Sequence, residues 1–359
     1  MAARAGRLNG QATPRRPLRS LTASRFIAAL VVFGSHLVER FPSPPLDAGN
    51  FLPESAASAV GYFFVLSGFV LSLGSGTTPR PVGWWRKRLA RVAPVYVVTG
   101  MLSVAFLTLQ GRPPGLVESV AFFTATQAWF LSTTFAINPP AWSVSCEAFF
   151  YALMPAVALV VARFRRPLPL AMATVGTLVC HAALTTSSHG QNPLVRLPEF
   201  LLGVSLGALF SLDPRPRAGV PAAALCVVGT QVALVVGVPR LGAAVGTLAL
   251  VASALLVWEL AAWDVGGRAP PPRWLVTLGL WSYSFYLVHY LVLRVLASAM
   301  GHLGVTAPTP PGATVAESVT ALALSLTAAG ILHHVVECPA ERRLRGTAPR
   351  TELAGVVDG

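Results

Sequence analysis

The stretch LTASRFIAALVVFGSHLVERF, residues 21–41, decides how this chain is read. It is one apolar run, long enough to cross a bilayer, interrupted by Arg25 and then by His36. On a helix, the steps from Arg25 to His36 return to almost the same face, about 16 Å further along the axis. An ionisable side chain inside such a run is expensive and by default faces a protein interior, so the pair is a functional hypothesis. The competing reading is a snorkelling arginine and a histidine held by a structural hydrogen bond.

Composition agrees with a membrane class. Of 359 residues, 54% are hydrophobic and 11% charged, and mean hydropathy is +0.62. A soluble domain carries about 25% charged residues, so a polytopic membrane protein is expected. The net charge of +13 suggests a nucleic-acid partner only at first sight. The arginines flank apolar runs instead of forming one basic face, so no nucleic acid is expected. Lys87 is the one lysine among 27 basic residues, as in a GC-rich bacterial genome. Cys146, Cys180, Cys226 and Cys338 are scattered, with no metal or disulfide spacing. The first apolar run lacks a small-residue cleavage site and reads as a retained span.

Runs of about 20 residues begin near Leu21, Ala56, Val92, Trp142, Pro169, Arg196, Val220, Leu241, Trp274 and Thr314. An eleventh, Leu116 to Phe135, holds Glu118, Gln127 and several threonines. If it crossed, the Arg163 to Arg166 cluster would fall outside; if it re-enters or lies in the interface, every basic loop is cytoplasmic. The fold class expected is therefore all-α: a polytopic membrane helix bundle of ten spans plus one re-entrant or interfacial segment, both termini cytoplasmic. Residues 1–20 and 338–359 are read as basic tails around a membrane domain, 21–337. The flanks are too short for a further soluble core.

Five patterns follow in chain order: Arg25-x10-His36; Tyr62-Phe-Phe-Val-Leu-Ser-Gly-Phe69; Arg86-Lys-Arg-Leu-Ala-Arg91-Val-Ala-Pro94; Trp142-Ser-Val-Ser-Cys-Glu147-Ala-Phe-Phe-Tyr151; and Ser282-Tyr-Ser-Phe-Tyr-Leu-Val-His289, then Glu337-Cys-Pro339. Together they closely resemble the acyltransferase 3 family of bacterial multi-pass membrane O-acyltransferases, over roughly Leu18 to Arg345. The chain departs from the family pattern where Arg19 and Ser20 stand in place of an acidic residue before the first span. Ala148 and Phe149 likewise replace a polar pair. The resemblance implies transfer of an acetyl or other short acyl group from acyl-CoA, a co-substrate, to a hydroxyl of a carbohydrate or glycosylated natural product. It also implies a bacterial inner (cytoplasmic) membrane location, with the lipid bilayer, acyl-CoA and the acceptor as partners and no permanently bound cofactor or metal.

Such chemistry needs a base for the acceptor proton, a grip on the thioester donor and donors for the developing oxyanion. His36 is the expected general base, a role the resemblance supports. Counting along the helices puts His36, Glu147 and His289 at one depth, which permits Glu147 to orient His36. Arg25, Arg86, Arg88 and Arg91, near the cytoplasmic surface, have the donor fork that suits phosphates. A nucleotide held there could extend its pantetheine arm along the first helix. For Arg86 and Lys87, anchoring at the membrane surface is an equal reading; Arg88 and Arg91 share one helix side at i, i+3.

Ser67 and Gly68 are expected to meet substrate or, alternatively, to pack a neighbouring helix. Direct transfer is preferred to a covalent intermediate, since nothing beside Ser67 would activate it. Glu199 is read as shaping the acceptor entrance or pairing with Arg196, and His289 as a substrate ligand or a core histidine bonded to a carbonyl. Glu337 is expected to be structural, paired with Arg25 or Arg342. His181, His189, His302, His333 and His334 are read as loop or interface residues, and Trp84, Trp85, Trp129, Trp142 and Trp274 as interfacial belt. The runner-up function is a transporter or flippase using Arg25, His36 and Glu147 as a pathway. Carriers of that kind commonly show repeated halves and matched broken helices, neither of which is evident in the sequence.

Overall fold

The computed structural model describes residues 17–41, 51–74, 81–164, 166–184, 190–236, 242–304 and 311–345, and every regular element among them is helical. In chain order these are α1 (Arg19–Arg40), α2 (Phe51–Gly74), α3 (Pro81–Leu109), α4 (Leu116–Phe123), α5 (Leu131–Thr134), α6 (Trp142–Val161), α7 (Pro167–Leu184), α8 (Pro193–Leu212), α9 (Val220–Val236), α10 (Gly242–Val265), α11 (Arg273–His302), α12 (Pro311–Leu332) and α13 (Cys338–Arg345). Ten are long. Among the described residues nine helical stretches are long and apolar enough to cross a membrane, and α9 is a shorter apolar helix. The protein is an all-α polytopic bundle.

Contacts between helices fix their directions. At their starts, Gly279 of α11 lies against the Thr22 carbonyl of α1. Further along, His36 faces His289 at 5.4 Å between ring centroids, so α1 and α11 run parallel. We call the end of the bundle where α1 starts its lower end. The two elements also share a ladder of rings, with Phe285 5.7 Å from Phe26 and 5.6 Å from Phe33. The start of α1 is capped from a distance. Asp264, near the lower end of α10, accepts from Ser20 N at 2.9 Å and from Ser20 Oγ at 2.6 Å. A carboxylate there satisfies orphan amides and the positive end of the helix. The acid missing before α1 in the sequence is thus supplied by another helix.

The tightest pairing is α2 with α8, whose backbones touch. A Cβ on Gly203 would strike the Val65 carbonyl, and one on Gly68 would strike the Phe200 carbonyl. Gly203 and Gly207 form a small-xxx-small face of the kind that lets membrane helices approach closely. Asn192 caps α8 by accepting from Leu194 N at 2.9 Å, with Pro193 in the first turn.

The apolar stretch Leu116 to Phe135 does not cross. It breaks into α4, a single 3-10 turn at Gln127–Trp129 and the four-residue α5, then a second 3-10 turn at Pro139–Ala141 leads into α6. Irregular backbone inside a bilayer survives only where protein satisfies its polar groups. Here side chains do so. Tyr96 donates to the Phe122 carbonyl at 2.5 Å, Ser145 to Ala125 at 2.7 Å, and Asn138 Nδ2 to Leu287 at 2.9 Å. Gln127 donates to Ala141 at 2.8 Å, Arg294 to Ile137 at 3.0 Å, and Tyr286 to Pro140 at 3.0 Å. Gln127, one of the polar residues that spoil the span, is among those that hold this connection; the rest come from outside the stretch.

Candidate active site

Along the face of α1 predicted from spacing, both ionisable residues turn into the bundle. At the upper end, His36 Nδ1 lies 3.0 Å from Glu39 Oε2, one turn on. With Nδ1–H donating to Glu39, the carboxylate holds the ring and leaves Nε2 as its acceptor nitrogen. Tyr290 stands beside it, its ring 4.9 Å from the His36 ring, and its hydroxyl donates to Glu39 Oε1 at 3.3 Å. That ring lies between two guanidiniums, Arg40 at 4.9 Å and Arg294 at 5.2 Å, and Arg40 also donates to the Tyr290 hydroxyl. His289 is fully buried; its Nδ1 meets the Phe285 carbonyl at 3.2 Å, while its Nε2 has no protein partner. The structure thus places His289 against a carbonyl, with its ring also adjoining that of His36.

Glu147 is not the carboxylate on His36. It accepts from the Tyr151 hydroxyl at 3.2 Å and lies within electrostatic reach of Arg91, Arg25 and Arg88. The expected shared depth fails because α6 does not start at a membrane surface. Its first residue, Trp142, is buried and packs Phe64 at 6.1 Å, and Pro140 just before it receives Tyr286 from the middle of α11. Five residues further down, Glu147 is about 8 Å lower still, among the arginines.

That lower cluster has a second carboxylate. Glu337 is buried, accepts from Ser284 Oγ at 2.7 Å and meets His333 Nδ1 at 3.1 Å, within electrostatic reach of Arg25 and Arg91. Residues His333–Glu337 form a π-helical turn between α12 and α13, a distortion frequent at functional sites. Arg25, Arg88 and Arg91 thus face Glu147 and Glu337, so cationic groups outnumber carboxylates and an anion would be favoured there. Arg86 is exposed, whereas Arg88 and Arg91 are half-buried, with Arg88 5.8 Å over the Trp84 ring.

Ser67 is half-buried near Tyr151, with which it shares a hydrogen bond. Gly68 has no space for a ligand, because α8 backbone fills it; packing is its role. Glu199 is paired with Arg196 at 2.7 Å and faces His181 at 3.6 Å, so His181 is a core residue and not a loop one. Likewise His333 is bonded inside the bundle, while His189 lies outside the described residues. Among the described residues no cluster of His, Cys, Asp and Glu could hold a metal ion.

This arrangement was compared with known proteins. A family model described as an acyltransferase domain, that of acyltransferase 3, matches residues 18–334. The chain belongs to the acyltransferase 3 family. It is 30% identical over 367 residues to "Acyltransferase MdmB" of Streptomyces mycarofaciens, covering 92% of this chain and 94% of that protein. It is 26% identical over 314 residues to "Exopolysaccharide production protein ExoZ" of Rhizobium meliloti (strain 1021), covering 83% and 94%. No solved structure gives a significant match. Within this acyltransferase, sequence reading missed Glu39, Tyr290, Arg294, Tyr151 and the inward role of His333. Glu39 at i+3 from His36, Tyr151 at i+4 from Glu147 and His333 at i−4 from Glu337 carried a readable signal, whereas Tyr290 and Arg294 did not.

Proposed function

We propose that the protein is an O-acyltransferase of a bacterial inner membrane, both termini cytoplasmic, moving an acetyl or other short acyl group from acyl-CoA to a hydroxyl of a carbohydrate or glycosylated natural product. The observation that carries this reading is the His36–Glu39 pair set above Arg25 on the same helix, with Arg88 and Arg91 of α3 beside Arg25. His36 Nε2 takes the acceptor hydroxyl proton as its oxygen attacks the thioester carbonyl. The C–S bond breaks, and the imidazolium, steadied by Glu39, returns the proton to the departing thiolate. Arg25, Arg88 and Arg91 grip the phosphates of the coenzyme, with Glu147 and Glu337 as the counter-charges that hold the guanidiniums in place. The ExoZ name, which speaks of exopolysaccharide, supports a carbohydrate acceptor.

The test is incubation of enriched membranes with labelled short-chain acyl-CoAs and a panel of glycosides and polysaccharides. Label should pass to a hydroxyl of one acceptor class, and His36→Ala should abolish the transfer with expression intact. Transfer that persists in His36→Ala would remove the proposed base.

A further inference from the structure

A chamber with an apolar lining and a few buried polar groups lies away from His36, between α2, α7, α8, α9 and α10. Its volume is about 260 Å³, and Glu54, Gly61, His181, Arg196, Glu199 and Gly246 are among its lining. Two of these groups are almost wholly buried, Glu199 at 1% and His181 at 4% exposure. Glu199 spends only one oxygen on its neighbours: Oε1 meets Arg196 at 2.7 Å and faces His181 at 3.6 Å. Its Oε2 has no protein partner, and neither has Nδ1 of His181. A buried carboxylate oxygen without a donor is costly and calls for an explanation.

The space is made by missing side chains. Gly61 sits 3.4 Å below the Glu199 carboxylate at the point a Cβ would occupy, and a Cβ on Gly246 would meet nothing within 4 Å. The chamber belongs to the upper half, since α8 begins there and Glu199 lies two turns below its start. Arg196 lies 5.4 Å over the Trp142 ring; Tyr286 bonds Pro140, just before Trp142, and stands 6.1 Å from His289.

We infer that this chamber is a recognition subsite for one sugar ring with vicinal hydroxyls, held apart from the hydroxyl that His36 activates. A hydroxyl donates and accepts at once. Next to it the chamber offers a carboxylate oxygen to receive its proton and the Arg196 guanidinium beside that carboxylate, so two adjacent hydroxyls can be read together. The volume is just under the roughly 300 Å³ where ligand pockets for drug-sized molecules begin, which suits one ring and not a chain. The subsite rests on the acceptor reading above and sets its specificity: the acceptor must carry a sugar unit besides the hydroxyl that is acylated.

The test reads binding without acyl transfer. In the full-length protein in detergent, with Cys180→Ala and Cys226→Ala removing exposed thiols, Gly246→Cys places a thiol in the chamber. Methyl hexosides should slow its labelling by a small water-soluble maleimide, and 2-deoxy and 3-deoxy analogues should need at least tenfold more for the same protection. Adding Glu199→Gln should raise the half-protecting hexoside concentration at least tenfold, while Glu54→Gln gives a second reading if that variant folds poorly. Equal protection by deoxy analogues, protection by simple alkylamines alone, or none by any hexoside would each overturn the subsite. Protection without any acyl transfer in membranes would leave the subsite standing and sink the proposed reaction instead.

Discussion

Glu39 Oε2 sits 3.0 Å from His36 Nδ1, so the proposed base and the carboxylate that holds it are neighbours on one helix. Both lie on α1 at i, i+3, and Tyr290 of α11 adds a second contact to Glu39.

Glu39→Gln should therefore act like removal of the orienting acid in a catalytic triad. Turnover should fall by about 10²–10⁴-fold, the range for general-base contributions, with affinity for acyl-CoA unchanged. A variant with near-normal kcat would show that Glu39 does not set the imidazole. Tyr290→Phe, which removes a weaker contact at 3.3 Å, should reduce kcat less.

Arg25→Ala and Arg91→Ala should instead weaken donor binding. Charged hydrogen bonds contribute about 1.5–3 kcal/mol, so the acyl-CoA Kd should rise by about 10- to 150-fold. Calorimetric titration of the detergent-solubilised protein checks this. An unaltered Kd would move the coenzyme site elsewhere.

Glu147→Ala removes one of the two carboxylates facing Arg25 and Arg91. Breaking a buried charge balance costs about 3–5 kcal/mol, so thermal unfolding should begin at clearly lower temperature. If Glu147→Ala melted like the parent protein, the counter-charge role would be wrong.

Gly203→Ala should prevent normal assembly of α2 on α8, because its Cβ would meet the Val65 carbonyl rather than a movable side chain. The loss should exceed the roughly 1–3 kcal/mol of ordinary overpacking. Gly34→Ala, with nothing within 4 Å of the added atom, is the control and should unfold no earlier than the parent protein.

The lower end of the bundle should be cytoplasmic. Single cysteines at Arg163 and Arg215 should resist an impermeant thiol reagent added to intact cells, whereas cysteines at Gly111, Gly190 and Gly304 should react. Labelling at Arg163 from outside would invert the topology.

Hydropathy and the arginine-rich loops made the helical bundle legible, including the refusal of Leu116 to Phe135 to cross. The face shared by Arg25 and His36 was legible too, since it follows from helix period alone. The depth of Glu147 was not. Counting from Trp142 assumes that α6 starts at a membrane surface, and no local pattern records how deeply the segment before it re-enters. Glu337 near Arg25 was among the pairings expected, but its donor Ser284 was hidden, because that contact depends on how distant helices pack. Arg196 with Glu199 could be read at i, i+3, but the third partner, His181, comes from another helix.

The parallel contact between α1 and α11 has a consequence for synthesis. Arg40 and Tyr290 are 250 residues apart, so the first helix emerges from the ribosome long before the groups that shelter its charges. Arg25 can meet Glu147 part-way through synthesis, but its second carboxylate, Glu337, arrives only when nearly the whole polypeptide has been made. Truncations before α11 should thus be poor substrates for stable insertion as well as inert, and protein quality control would meet them as chains whose first helix lacks part of its charge partners.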